Sequence, residues 1–155
     1  SKELTDTQDL KDTDKIQILL NSNYSNKEIS AIYENYIKNT KDTQYYIVEE
    51  SGMDIKEYLK YKQQNFESDR KDDGTINGKA ISKSKQKKEY EYVNNMKITY
   101  NQKLILLGMQ YSLTSGEKTK LANYVNEMNL NKKEKLEVYE KLKGFKVYKD
   151  GRVTW

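Results

Sequence analysis

Four lysines, Lys83, Lys85, Lys87 and Lys88, fall within one six-residue stretch. They stand where a helix is expected to begin, and cations there oppose the helix macrodipole. A chain that keeps them can direct them at phosphate or at an acidic partner. The plainer reading is a solubilising face in a lysine-rich chain. Arginine, the favoured reader of guanine edges, occurs only as Arg70 and Arg152, which counts against base-specific DNA recognition.

The carboxylates offer two further tests. From Asp69, a calcium-loop pattern is met at Asp73, Gly74 and Ile76, but its third position is Lys71 and its twelfth is Ala80. A lysine inside the ring repels the cation, and alanine supplies no bidentate ligand. The reading is therefore a structural turn with no metal. Paired carboxylates could act as acid and base. The pairs Glu49 with Glu50, Asp72 with Asp73, and Glu89 with Glu91 all sit in polar or amphipathic stretches. A solvated surface is expected for each. Histidine and cysteine are absent, which removes the commonest general base, zinc ligand and thiolate nucleophile. No glycine-rich phosphate cradle and no nucleophile elbow is present. The expectation is a non-enzyme with no catalytic residue, no cofactor and no metal.

The elements that must position these groups read as helices. Apolar residues make up 35 % of the 155-residue chain, proline is absent, and the 14 tyrosines supply much of the buriable surface. A tyrosine buries its ring while its hydroxyl keeps a polar partner. A thin, tyrosine-rich core between helix faces follows. Residues 1–14 carry two lysines against five acidic residues, a net −3, and are expected to be a mobile segment. Residues 79–103 carry seven lysines against two glutamates, a net +5.

Four short helices are expected over residues 15–68. Ile16, Leu19 and Leu20 face one way. Ser25 with Glu28 makes a capping box before the stripe Ile29, Ile32, Tyr33, Tyr36, Ile37. A third helix runs from Thr43 to Glu50 and stops at Gly52. Asp54 with Glu57 caps a fourth, lined by Ile55, Tyr58, Leu59 and Phe66. Residues 69–82 are a turn-rich connector held by Ile76 and Ile81. Over residues 83–143 four more helices follow. The first starts near Ser84, and capping pairs Thr99/Gln102, Thr114/Glu117 and Asn131/Glu134 open the others. Gly108 and Gly144 are read as stops. Residues 144–155 switch period: Phe145, Val147, Val153 and Trp155 alternate around Asp150-Gly151, a β-hairpin pattern with Trp155 as its anchor. The fold class is all-α, about eight short helices in hairpin units, with that small C-terminal hairpin.

The last helices also repeat. Tyr92-Val93-Asn94-Asn95-Met96 returns 32 positions later as Tyr124-Val125-Asn126-Glu127-Met128. Ile98, Gln102, Lys103, Leu104, Leu106 and Leu107 return as Leu130, Glu134, Lys135, Leu136, Val138 and Tyr139. A period of this size points to a duplicated helix–turn–helix unit.

The order of these features carries a resemblance. An aspartate/glycine turn leads to the serine- and lysine-rich helix start, then Tyr92-Val93-Asn94, then a capped helix ending in Leu107-Gly108-Met109-Gln110-Tyr111. With the preceding SGMDIKEYLKYKQQNFESDRKDD, residues 51–130 resemble a C-terminal helical module of large structural proteins of phages and prophages of low-GC Gram-positive bacteria. The resemblance implies a virion-associated assembly module whose partner is another protein of the virion or host. It carries over no catalytic residue. The alternatives are a nucleic-acid-associated module using Lys83, Lys85, Lys87 and Lys88, with salt-sensitive binding, and a small phage-encoded inhibitor of a host protein. No signal peptide and no run of apolar residues long enough to cross a bilayer is read; the location that the resemblance implies is the virion or the host cytoplasm. The first residue is Ser1 rather than Met, in keeping with an excised fragment of a longer protein or a tagged chain.

Overall fold

The computed structural model describes residues 10–38, 44–66, 75–76, 79–80 and 83–155, with residues 75–76 and 79–80 described through their backbone. Among them eight α-helices follow in order. They are α1 (Asp12–Leu20), α2 (Asn26–Ile32), α3 (Gln44–Glu50), α4 (Ile55–Gln63), α5 (Lys83–Asn95), α6 (Tyr100–Gly108), α7 (Ser115–Glu127) and α8 (Lys132–Lys141). The described residues also form two short antiparallel strand pairs: β1 (Thr75–Ile76) with β2 (Lys79–Ala80), and β3 (Lys146–Val147) with β4 (Val153–Thr154), the latter a hairpin. The expected mostly helical fold with a C-terminal hairpin is the one observed. None of the described helices is long and apolar enough to cross a membrane.

Helix starts follow their local chemistry. Ser25, Thr99, Thr114 and Asn131 each accept from the backbone N–H three residues on, and Glu28, Gln102, Glu117 and Glu134 reach back. Each box satisfies two backbone donors that a bare helix start leaves open. The expected Asp54/Glu57 box is not formed. Asp54 accepts from Lys56 N–H at 2.9 Å, and Glu57 instead accepts from Lys97 N–H at 3.2 Å. Tertiary contact has taken the glutamate away from its local role. Gly52 and Gly144 do follow α3 and α8 with φ of +72° and +81°. Gly108 is no left-handed stop. It lies inside the last turn of α6, where an added Cβ would come within 2.8 Å of Leu121 Cδ2. Its role is to let α7 approach.

At the centre is α6. Leu104, Ile105, Leu106 and Leu107 are all buried, so the helix is apolar around its circumference and has neighbours on every side. The other half of the core is aromatic. Tyr33 stacks on Tyr45 at 5.0 Å, Tyr45 lies 6.3 Å from Tyr58, and the series continues through Tyr61, Phe66 and Tyr92. Offset and tilted pairs at such spacings are favourable beyond their area. After Ile32 the α2 helix widens into a π-turn over Tyr33–Ile37, closed by Lys38 N–H to Tyr33 O at 2.8 Å. The wider turn breaks the expected 3.6-residue stripe. Tyr33 and Ile37 stay buried, whereas Tyr36 turns outward and is half exposed.

Positions 32 residues apart share more than residue type. Lys103 Nζ donates to Asn94 O at 2.6 Å, and Lys135 Nζ to Asn126 O at 2.7 Å. Val93 and Val125 are buried, as are Met96 and Met128, and Leu107 and Tyr139. The two capping-box partners, Gln102 and Glu134, also contact residues of α3 or just after it. Gln102 Nε2 donates to Ser51 O just after α3 at 2.9 Å, while Glu134 accepts from the hydroxyl of Tyr46 within α3 at 2.8 Å. Tyr124 also reaches Ser51 O, at 3.3 Å. Helix α3 and Ser51 just after it therefore tie α6, α7 and α8 to each other and to the N-terminal helices.

Candidate interaction surface

The lysine stretch lies where it was expected, in the first turns of α5. Lys83, Lys85, Lys87 and Lys88 are all exposed. At about 100° per residue they spread around the helix and do not form one stripe. Lys87 Nζ lies 3.9 Å from Glu91 Oε1 in an exposed i,i+4 pair. The four therefore make a diffuse cationic collar. Of the calcium-loop positions, Asp69, Lys71, Asp73 and Gly74 lie outside the described residues. Ile76 and Ala80 stand in the paired strands β1 and β2.

Glu89 corrects the sequence reading. It was expected on a solvated surface with Glu91, but its residue exposure is 0 %. The Tyr61 hydroxyl donates to Oε2 at 2.8 Å and the Tyr111 hydroxyl to Oε1 at 3.0 Å. Burial of a carboxyl group is tolerated when both oxygens are engaged in this way. A signal for it was present: Glu89 stands four residues before Val93, on the buried face of α5, and 32 residues before Leu121, which is also fully buried. Glu49 and Glu50 are exposed as expected, and Asp72 and Asp73 lie outside the described residues. The Glu89 cluster is closed off from solvent, so its role is to pin α4 and the loop after α6 onto α5.

A concave surface among the described residues lies beside the C-terminal hairpin. The β3–β4 hairpin folds back on α7 and α8. Its three-residue tip contains Gly151 at φ +87°, a left-handed position, and Arg152 N–H donates to Asp150 Oδ1 at 3.0 Å. Phe145 packs in tilted contact on Tyr139 at 5.5 Å and on Trp155 at 5.6 Å. Trp155, read as the anchor of the hairpin, is 48 % exposed. The ring is nevertheless held, because its Nε1–H donates to Thr119 Oγ1 at 3.1 Å. Phe145 shares the anchoring.

Between hairpin and helices is an open cleft of about 490 Å³, lined by Asn126, Lys132, Lys135, Leu136, Tyr139, Gly151, Val153 and Trp155. The Tyr139 hydroxyl lies at 2.9 Å from Ala122 O and 2.8 Å from Asn126 Oδ1. Burial raises the pKa of Tyr139, so the group stays a neutral phenol through physiological pH. Lys135 is held by Asn126 O, and the stem of Lys132 lies along Gly151. Two cations therefore flank an apolar and aromatic wall. This site was missed in the sequence because its parts come from α7, α8 and the hairpin, and the alternation of the hairpin marked only an inward face.

No protein-family model matches the chain, and no significant similarity to a curated protein or to a solved structure is found.

Proposed function

We propose that the chain is a non-enzymatic protein-interaction and assembly module, the C-terminal part of a phage or prophage structural protein, and that its C-terminal cleft is the contact surface. One observation carries the interaction reading. The chain's single tryptophan is half exposed on a concave wall, though its N–H is hydrogen-bonded and its ring packs on Phe145. Isolated exposed aromatics are ordinary. A tryptophan held rigid at the rim of a cleft is the kind of group that dominates interface energetics. The virion assignment rests on the resemblance of residues 51–130. Its Leu107-Gly108-Met109-Gln110-Tyr111 segment carries the close approach at Gly108 and the Tyr111 bond to Glu89. A small inhibitor of a host protein would use the same cleft. The nucleic-acid reading is favoured only by the exposed collar of Lys83, Lys85, Lys87 and Lys88.

The test is photocrosslinking from a benzoylphenylalanine placed at Lys149, on the hairpin tip, in cells induced to produce particles. A discrete protein adduct that co-purifies with particles is expected. Adducts to nucleic acid alone would reject the interaction reading, and absence of the chain from purified particles would reject the virion assignment.

A further inference from the structure

We infer that the cleft takes a short acidic segment of its protein partner, with an apolar side chain against Trp155, Leu136 and Val153 and a carboxylate on Lys132. The inference rests on the protein-interaction reading and adds the chemistry of the partner. Charge is the first argument. Lys132 and Lys135 line the cleft, and no acidic side chain is among its described lining residues. The cations are also placed. Lys135 Nζ spends one donor on Asn126 O, and an ammonium has three. A Cβ on Gly151 would stand 3.3 Å from Lys132 Cε and 3.5 Å from its Nζ, so the end of this side chain runs close beside the glycine at the rim. The second argument is the wall. Leu136, Val153 and the exposed face of Trp155 provide apolar area beside the cations, which suits an acidic residue next to an aliphatic one. Size favours peptide over polynucleotide. A cleft of about 490 Å³ holds a few side chains, whereas a phosphate backbone needs a cationic track.

Trp155 is the only tryptophan, so its emission reports on this cleft alone. The blocked peptide acetyl-Glu-Leu-Asp-Leu-amide is titrated to millimolar concentration, with acetyl-Lys-Leu-Lys-Leu-amide and oligothymidylate in parallel. A saturable shift of Trp155 emission with the acidic peptide alone is expected. Lys132→Gln is expected to weaken it about tenfold, since a charge-assisted bond is lost. Lys149→Gln, away from the lining, should leave it unchanged. Circular dichroism of each variant checks that the helices are intact. An equal response to the basic peptide, no saturation, or indifference to Lys132→Gln would overturn the inference. So would saturation by oligothymidylate at lower concentration. If no peptide moves the emission while the Lys149 crosslink still yields a protein adduct, the acidic chemistry is wrong and the interaction reading stands. If both fail, that reading falls too.

Discussion

Glu89 and Gly108 show at single-residue scale how this core is specified. The Glu89 carboxyl is buried with hydroxyls of Tyr61 and Tyr111 on its two oxygens. Removing one donor leaves a buried acceptor short of a partner, which costs about 1–3 kcal/mol. Tyr61→Phe and Tyr111→Phe are each expected to destabilise by that amount, read as a lower urea midpoint at unchanged slope. A loss below about 0.5 kcal/mol in both would mean that the cluster contributes little. At Gly108 two effects compete. Alanine gains up to about 1 kcal/mol of helix propensity over glycine. Its Cβ would, however, meet Leu121 Cδ2 at 2.8 Å and Leu142 Cδ2 at 3.4 Å. Both leucines are buried and walled in, and overpacking of such a site costs about 1–3 kcal/mol. Gly108→Ala is therefore expected to lower the midpoint; a higher one would show that Leu121 can move aside.

Among the elements, the boxes that open α6 and α8 stand 32 residues apart and do the same local work. Each cap accepts one backbone N–H, at 3.1 Å for Thr99 and 2.9 Å for Asn131. Thr99→Ala and Asn131→Ala are expected to cost about 1 kcal/mol each, within the usual 0.5–2 kcal/mol for a lost cap. Thermal unfolding of the two variants should give comparable losses, and a large inequality would show that the surroundings, not the cap, set the effect. The start of α5 makes a different prediction. Its four exposed lysines surround the helix, so they attract anions without geometric specificity. DNA binding measured by fluorescence anisotropy should be sequence-independent and lost by about 0.15 M salt, because it rests on counterion release. Tight binding that survives this salt and vanishes when Lys83, Lys85, Lys87 and Lys88 are all changed to Gln would replace the protein-interaction reading with the nucleic-acid one.

Across the whole molecule, tyrosines held by a hydrogen bond at the surface or by partial burial make stability sensitive to alkali. The Tyr46 hydroxyl donates to the Glu134 carboxylate, and that bond, followed by burial, pushes its pKa from 10.0 to about 12. Burial also raises Tyr90, Tyr92, Tyr124 and Tyr139. The unfolded chain releases these protons first, near pH 10. The stabilisation is thus fully present below pH 10 and is lost as pH rises through the folded values towards about 12. Urea midpoints followed across that window should fall while tyrosinate absorbance rises, and Tyr46→Phe should make the fall shallower. The same bond is lost at the acid end for the opposite reason. The Glu134 pKa is held below its ordinary 4.5 by the Asn131 backbone N–H and then by Tyr46, so its contribution is present above that value and disappears as pH falls through the lower one.

The sequence by itself determined the elements whose chemistry is local. A serine, threonine or asparagine three residues before Glu or Gln started four of these helices, because the box closes within one turn. The alternation around Asp150-Gly151 gave the hairpin, because its turn and pairing lie within a few residues. Tertiary structure decided what depends on distant neighbours. Glu57 left its expected cap for Lys97, and Tyr36 was turned outward by the π-turn. Glu89 was buried because Tyr61 and Tyr111, 28 and 22 residues away, supply its hydrogen bonds. Trp155 became the rim of a cleft because Phe145 and Thr119 hold its ring short of the core. A polar or aromatic side chain can be satisfied in water or by a partner far along the chain, and residue type and spacing are the same in both cases.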